Sequence, residues 1–247
     1  MDRTLLITWY DLPAGAESEH LAWAKEHYTT KMLERRGVEW AAHFKTEPHP
    51  PMSNLKPGAP PRLHSTDDAS VPRGNAYISI FGARTPHAFS GPTLARWHEA
   101  LSAHDREMLA QGVSSRVNLM IDQDRTDGPD AHTRKAGEPL SPCIQLGSFN
   151  AGEADEEEVL AWYAEWRFPS MQKLQGCVGI RKLVSIAGWA KHGVLYEFSS
   201  LEARNKYFPR HEDPFPEKEW TDRFVRKLMH APGSPNVVQR IAFATAK

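Results

Sequence analysis

Two stretches of this chain decide its reading: residues 17–37, ESEHLAWAKEHYTTKMLERRG, and residues 156–176, EEEVLAWYAEWRFPSMQKLQG. Laid over each other at an offset of 139 residues (162 minus 23), they align without a gap. Glu17 falls on Glu156, Glu19 on Glu158, Leu21 on Leu160 and Ala22 on Ala161. Trp23 falls on Trp162, Glu26 on Glu165, Met32 on Met171 and Gly37 on Gly176. A repeat at a fixed offset points to a duplicated supersecondary unit. Within the first copy, Leu21, Ala24, Tyr28 and Met32 recur at the three-to-four-residue spacing of one helix face. Acidic residues crowd the start and Lys31, Arg35 and Arg36 the end, as the helix dipole favours. Gly37 suits the C-terminal cap.

Working outward, residues 5–10 read as a strand before this helix, and residues 38–45 as a strand after it. Residues 75–81 form a third strand, residues 93–109 a second helix carrying Leu94, Trp97, Leu101, His104 and Met108 on one side, and residues 115–121 a fourth strand. The second copy repeats the order: strand 143–149, helix 156–174, strands 178–186 and 194–198, helices between 201 and 229, and strand 237–244. Each copy is thus a βαββαβ ferredoxin-like module. The expected fold is α+β, with one module over residues 1–123, a linker over 124–142 and a second module over 143–247. Both helices of such a module cover one sheet face, so the bare face needs a cover that a second copy supplies. One long insertion interrupts the first module at residues 46–73. It carries Pro48, Pro50, Pro51, Pro57, Pro60, Pro61 and Pro72, too many prolines for regular structure.

Composition narrows the partners. The 247 residues carry a formal net charge of -1, with 40% hydrophobic and 25% charged residues. Without basic excess, a nucleic-acid or anionic-membrane partner is not expected. No apolar stretch approaches the roughly 20 residues of a membrane span. The first residues show no cleavage signature, and Cys143 and Cys177 are too few for a disulfide framework, so a cytoplasmic protein is expected. Glycine-loop nucleotide sites, the G-x-S-x-G elbow, H-E-x-x-H and C-x-x-C are absent from the sequence. The histidine spacing suits a metal poorly, and none is expected.

The run Trp23-Ala24-Lys25-Glu26-His27-Tyr28, followed by Met32-Leu33 and Gly37-Val38, resembles the dimeric α+β barrel superfamily, and within it the EthD-like proteins. The resemblance covers both halves as a pattern, although the second copy has Trp166-Arg167 in place of His27-Tyr28. It implies a pseudo-dimeric α+β barrel with a pocket between the helices and the sheet of each module. A loop as long as the 46–73 insertion is often a lid or binding loop, and it is expected to lie over the first pocket. Family members include cofactor-free oxygenases, cyclases, isomerases and haem binders, so the fold does not fix the function.

His27 and Tyr28 are the expected catalytic pair: a histidine moves protons near neutral pH and a tyrosine donates to an oxyanion. The plainer reading is a helix-face histidine and a core tyrosine. Trp9, His43 and Tyr77, on strands, and Arg167, on the second helix, are the expected substrate contacts. Strand aromatics are more often core, and a buried arginine more often pairs with a glutamate. Arg181, His192, Tyr196 and His211 are further polar candidates. These residues suggest a cofactor-free acid/base enzyme (a lyase, cyclase, isomerase or dehydratase) for a small hydrophobic, aromatic or polyketide-like substrate. The alternatives are a haem protein with His192 or His211 as axial ligand, as the resemblance implies, and a non-catalytic binding protein. Assembly as a homodimer stays open.

Overall fold

Along the first strand, Leu5, Ile7 and Trp9 join one buried cluster while Leu6 joins another, the alternation a pleated strand imposes. The computed structural model describes residues 2–48 and 62–246. Its strands and helices run β1 (Thr4–Asp11), α1 (residues 17–33), β2 (Val38–Thr46), β3 (His64–Ser65), β4 (Tyr77–Ala83), α2 (Leu94–Glu99), α3 (Ala103–Ala110) and β5 (Val113–Asp127). The second half follows with β6 (Cys143–Asn150), α4 (residues 156–171), β7 (Cys177–Ala187), β8 (His192–Phe198), α5 (Leu201–Tyr207), α6 (Glu217–Val225), β9 (Met229–His230) and β10 (Asn236–Thr245). Adding 139 to the bounds of β1 gives those of β6. Both long helices loosen to a π-helical stretch at the same place, Ala24–Tyr28 in α1 and Trp162–Arg167 in α4.

Each half has the strand order of a ferredoxin-like module, β2-β4-β1-β5 in the first and β7-β8-β6-β10 in the second. β5 pairs with β7 and β10 with β2, all antiparallel, so eight strands close into one barrel. The tandem α+β barrel is therefore the fold. Its interior holds Leu5, Ile7, Trp9, Trp40, Phe44, Ile78 and Ile80 from the first half, with Ile144, Leu146, Leu183, Leu195 and Val238 from the second. The Trp9 indole N–H donates to Asn236 Oδ1 at 3.1 Å, stitching the halves through the core. The helices lie outside.

The structure departs from the sequence reading in three places. The second helix of the first half is two helices, because Ser102 caps a new one: its hydroxyl accepts from the Asp105 N–H at 3.1 Å. β5 continues through Asp127, into the stretch read as linker, because β7 is there to pair with it. The described end of the proline-rich insertion contains a short strand, and it docks on the second half rather than the first. His64–Ser65 runs parallel to Met229–His230, Leu63 packs on the second half's core, and Arg62 pairs with Glu212 at 2.5 Å and Asp222 at 3.1 Å. Residues 49–61 of the insertion lie outside the described residues.

Gly37 and Gly176 both end the long helices at positive φ, +94° and +83°. A Cβ at Gly176 would meet the Ala203 Cβ at 2.9 Å, and one at Gly37 the Ala88 Cβ at 3.3 Å. Gly176→Ala therefore lowers stability by roughly 1–3 kcal/mol, and Gly37→Ala by less. Chemical denaturation of both variants checks this; an unchanged midpoint for Gly176→Ala contradicts it.

Candidate functional site

The two halves present the same scaffold, but their helix–sheet interfaces are filled differently. In the first half, a cavity of about 470 Å³ lies between α1, α2 and the outer face of the sheet. In the second half the corresponding space is about 90 Å³. The cause is residue size at matched positions. Ala24 and Ala41 face the first cavity, where the second half has Tyr163 and Ile180, both buried. Ser79, opposite Thr8, has its counterpart in Val194, opposite Gly147. β10 of the second half closes one wall of the first cavity with Ala242, Phe243 and Ala244.

Two tyrosine–histidine pairs line this cavity. On the sheet, the Tyr10 hydroxyl lies 2.6 Å from His43 Nε2. On the helices, the Tyr28 hydroxyl lies 2.9 Å from His98 Nε2. A run of ring contacts connects them, Tyr10 to His20, His20 to Trp23 and Trp23 to Tyr28, each at 5.4 Å between centroids. The π-helical stretch begins at Ala24 and ends at Tyr28, both of which line the cavity. Behind Tyr10, Tyr77 stacks at 5.6 Å. Trp23 is fixed from outside the cavity: its indole N–H donates to Asp105 Oδ1 at 2.9 Å, and Lys31 grips the other oxygen at 2.6 Å. Hydrogen bonds from Lys31, Ser102 and Trp23 hold the Asp105 carboxyl well below the usual carboxylate range.

Burial sets the charge state of the cavity. It pushes the His43 imidazole down to about 4 and lowers His20 and His98 as well. It also pushes the Tyr10 and Tyr28 hydroxyls well above the usual phenol range. All five are neutral at pH 7. Each pair shares one hydrogen bond, whose direction follows the tautomer of the neutral imidazole. Lys25, on the exposed face of α1, is the charged side chain among the lining residues.

Of the six residues expected from sequence, the structure brings Tyr28 and His43 together on this cavity. His27 is exposed and does not line it. The helix turns Tyr28 inward and His27 outward. Trp9 lies in the barrel interior, on the other face of β1 from Tyr10. Tyr77 backs the site without lining it. Arg167 occupies the Tyr28 position of the second half, where it pairs with Glu212, donates to His211 Nε2 at 2.7 Å and stacks over Trp162 at 4.4 Å. Sequence reasoning passed over Tyr10, His20 and His98. A signal existed for His20, which precedes Ala24 and Tyr28 at four-residue spacing. Tyr10 is the alternation partner of Trp9.

The remaining candidates form buried networks in the second half. Arg181 bonds Asp2 at 2.6 Å and the Pro139 carbonyl at 2.7 Å. His192 receives Lys182 Nζ on Nδ1 at 2.9 Å and donates from Nε2 to Glu156 at 3.0 Å. His211 donates from Nδ1 to the Phe208 carbonyl at 2.5 Å and accepts from Arg167 on Nε2. With both ring nitrogens of His192 and of His211 engaged, and about 90 Å³ of free space beside Arg167, Tyr196 and His211, these residues do not fit an axially ligated haem. Among the described residues no group of three or more His, Cys, Asp or Glu side chains is placed to hold a metal ion, and no helix is long and apolar enough to cross a membrane.

No family model matches the chain, and no curated protein matches it. Solved structures do. An anthrone oxidase-like protein superposes with a TM-score of 0.61 at 10% identity, covering 100% of this chain and 94% of that one. A putative monooxygenase from Fusobacterium nucleatum subsp. nucleatum superposes at 0.59 and 10% identity, covering 99% and 94%. A mutant chlorite dismutase from Candidatus Nitrospira defluvii, in complex with cyanide, superposes at 0.50 and 12% identity, covering 97% and 90%. At such identities the likeness is one of fold.

The histidine shifts carry a sign that can be tested. His43, His211 and His230 are held at about 4 in the folded protein by burial, against about 6.5 in an unfolded chain. The unfolded state then binds more protons between those values, so stability is complete above about pH 6.5 and falls as pH drops toward 4. His43→Gln makes that fall shallower by up to about 1.4 kcal/mol per pH unit. Urea denaturation across pH 4–7 measures it. An unchanged slope means His43 takes up its proton as readily inside the fold as outside.

Proposed function

We propose that this chain, which carries the dimeric α+β barrel fold in tandem-fused form, is an enzyme that binds a flat hydrophobic, aromatic or polyketide-like molecule in the first-half cavity and transfers a proton there without a cofactor. The observation that carries the reading is the neutral Tyr10–His43 pair on the floor of an aromatic-walled cavity of about 470 Å³. Small-molecule sites are apolar hollows of this size with a few convergent polar groups.

The roles follow from charge. His43 is an uncharged imidazole at neutral pH, and with its Nε2–H donating to the Tyr10 oxygen its Nδ1 keeps a lone pair as a base. Its depressed pKa makes it a weak base in isolation. It accepts a proton effectively only while a new anion lies beside the imidazolium, inside a cavity where that attraction is strong. A carbon acid next to a carbonyl, or a phenol, provides such an anion. Tyr28, whose O–H stays protonated, donates to the developing oxyanion. Trp23 and Phe81 hold the rings flat against the wall. Lyase, cyclase, isomerase and dehydratase outcomes all begin with this step.

The names of the matched structures suggest a second reading, in which dioxygen oxidises the deprotonated substrate. An oxygen electrode separates the two, because isomerisation and elimination consume none.

A panel of hydroxylated naphthalenes, anthrones and cyclic 1,3-diketones, followed by absorbance, tests the site. On the member that turns over, His43→Gln lowers kcat by about 10²–10⁴-fold, the usual loss when a general base is removed. His27→Ala leaves it within about twofold, since an exposed side chain off the cavity touches no reacting atom. Activity lost in His27→Ala and kept in His43→Gln would put the chemistry outside the cavity.

A further inference from the structure

The second tyrosine–histidine pair is not needed to take a proton, yet it lines the same cavity. Tyr10 and His43 come from β1 and β2, which form the floor. Tyr28 and His98 come from the π-helical stretch of α1 and from α2, which form the roof. Three ring contacts of 5.4 Å, through His20 and Trp23, separate the two tyrosines along one wall. The lining between is mostly apolar, with Ala24, Ala41, Phe81 and Leu109, joined by Thr8, Ser79 and Ser115.

The geometry points to a substrate of a narrower class than the proposed function requires: an uncharged fused-ring molecule oxygenated at two opposite edges, one edge read by the floor pair and the other by the roof pair. The inference rests on the reading of this cavity as the substrate site. Each pair contains one hydroxyl and one imidazole, so each offers a donor and an acceptor to a ligand hydroxyl or ketone. A ligand with one oxygen leaves one pair unused, and a ligand with two engages both.

Charge excludes the acidic analogue. Both pairs are neutral at pH 7, and the cavity's cation, Lys25, sits on the exposed face of α1. A carboxylate at either pair would be desolvated without a counter-ion, which costs more than a hydrogen bond returns. The other half shows what a site for an anion would have needed. There the Tyr28 position is Arg167, a fixed cation, but Glu212 already neutralises it within the chain. Among the described residues, the helix–sheet cavity of the first half has no buried cation on its lining, and the matching space of the second half has the buried cation but about 90 Å³ of room.

Three probes of one ring size separate these statements: 2-naphthol, 2,6-dihydroxynaphthalene and 6-hydroxy-2-naphthoate, each titrated calorimetrically into the full chain at pH 7. The inference predicts that the diol binds about 3- to 10-fold more tightly than the mono-ol, the ratio one extra neutral hydrogen bond gives. It predicts that the carboxylate binds at least roughly tenfold more weakly than the diol. Tyr28→Phe, which keeps the ring, brings the diol down to the affinity of the mono-ol. Equal binding of mono-ol and diol, or tightest binding by the carboxylate, overturns the two-edged neutral class while leaving the cavity as a binding site. If none of the three binds at millimolar concentration, the cavity reading itself fails, and this inference with it.

Discussion

Pairing between the two halves is the constraint on which everything else depends. Each module alone would end in two unpaired strand edges, β2 and β5 in the first, β7 and β10 in the second. Unpaired edges expose backbone donors and acceptors and invite other chains. Joining β5 to β7 and β10 to β2 removes all four edges at once. The same closure buries the bare faces of both sheets against each other, so Trp9, Trp40 and Phe44 meet Leu146, Leu183 and Leu195 in one core. Because that interior is packed with large side chains, the first-half cavity lies on an outer face, under the helices.

Fusion then frees the outer faces to differ. In a dimer of identical chains, any substitution that opens one pocket opens both. Here the first half carries Ala24 and Ala41 where the second carries Tyr163 and Ile180, and the space between helices and sheet is about 470 Å³ in the first but about 90 Å³ in the second. The same positions changed their polar chemistry. The floor cluster Tyr10, His43 and Tyr77 has Phe149, Lys182 and His192 as its counterparts. Tyr10 and His43 border the cavity, with Tyr77 stacked behind them. The second is knitted shut, with Lys182 bonded to the Leu183 carbonyl and to His192, and His192 to Glu156. Burial pushes the Lys182 ammonium down to about 7, in keeping with a group sealed among Phe149 and Tyr163.

Much of this was legible before the structure. The 139-residue offset placed β1 on β6 and the Trp23 helix on the Trp162 helix, since repeated side-chain patterns survive wherever both copies must pack the same way. The break at Ser102 was missed because an apolar stripe running from Leu94 to Met108 outweighed one capping hydroxyl. The site was half legible. Tyr28 and His43 were named, but Trp9 was preferred to its neighbour Tyr10, and His27 to His20. Alternation says that adjacent strand residues face opposite sides. It does not say which side is the barrel interior and which the cavity. That choice is made by the second module, whose strands cover one face and leave the other to the helices. His98 had no sequence signal, because its partner Tyr28 lies 70 residues away.

The account turns on one half holding the site while the other serves as wall and ballast. A crystal structure of the chain grown with 2,6-dihydroxynaphthalene reads that directly. The predicted result is one molecule per chain, between the Tyr10–His43 floor and the Tyr28–His98 roof, with the second half's Arg167–Glu212 pair undisturbed. A molecule lodged beside Arg167 with that pair broken, or threaded into the barrel interior beside Trp9, would contradict it.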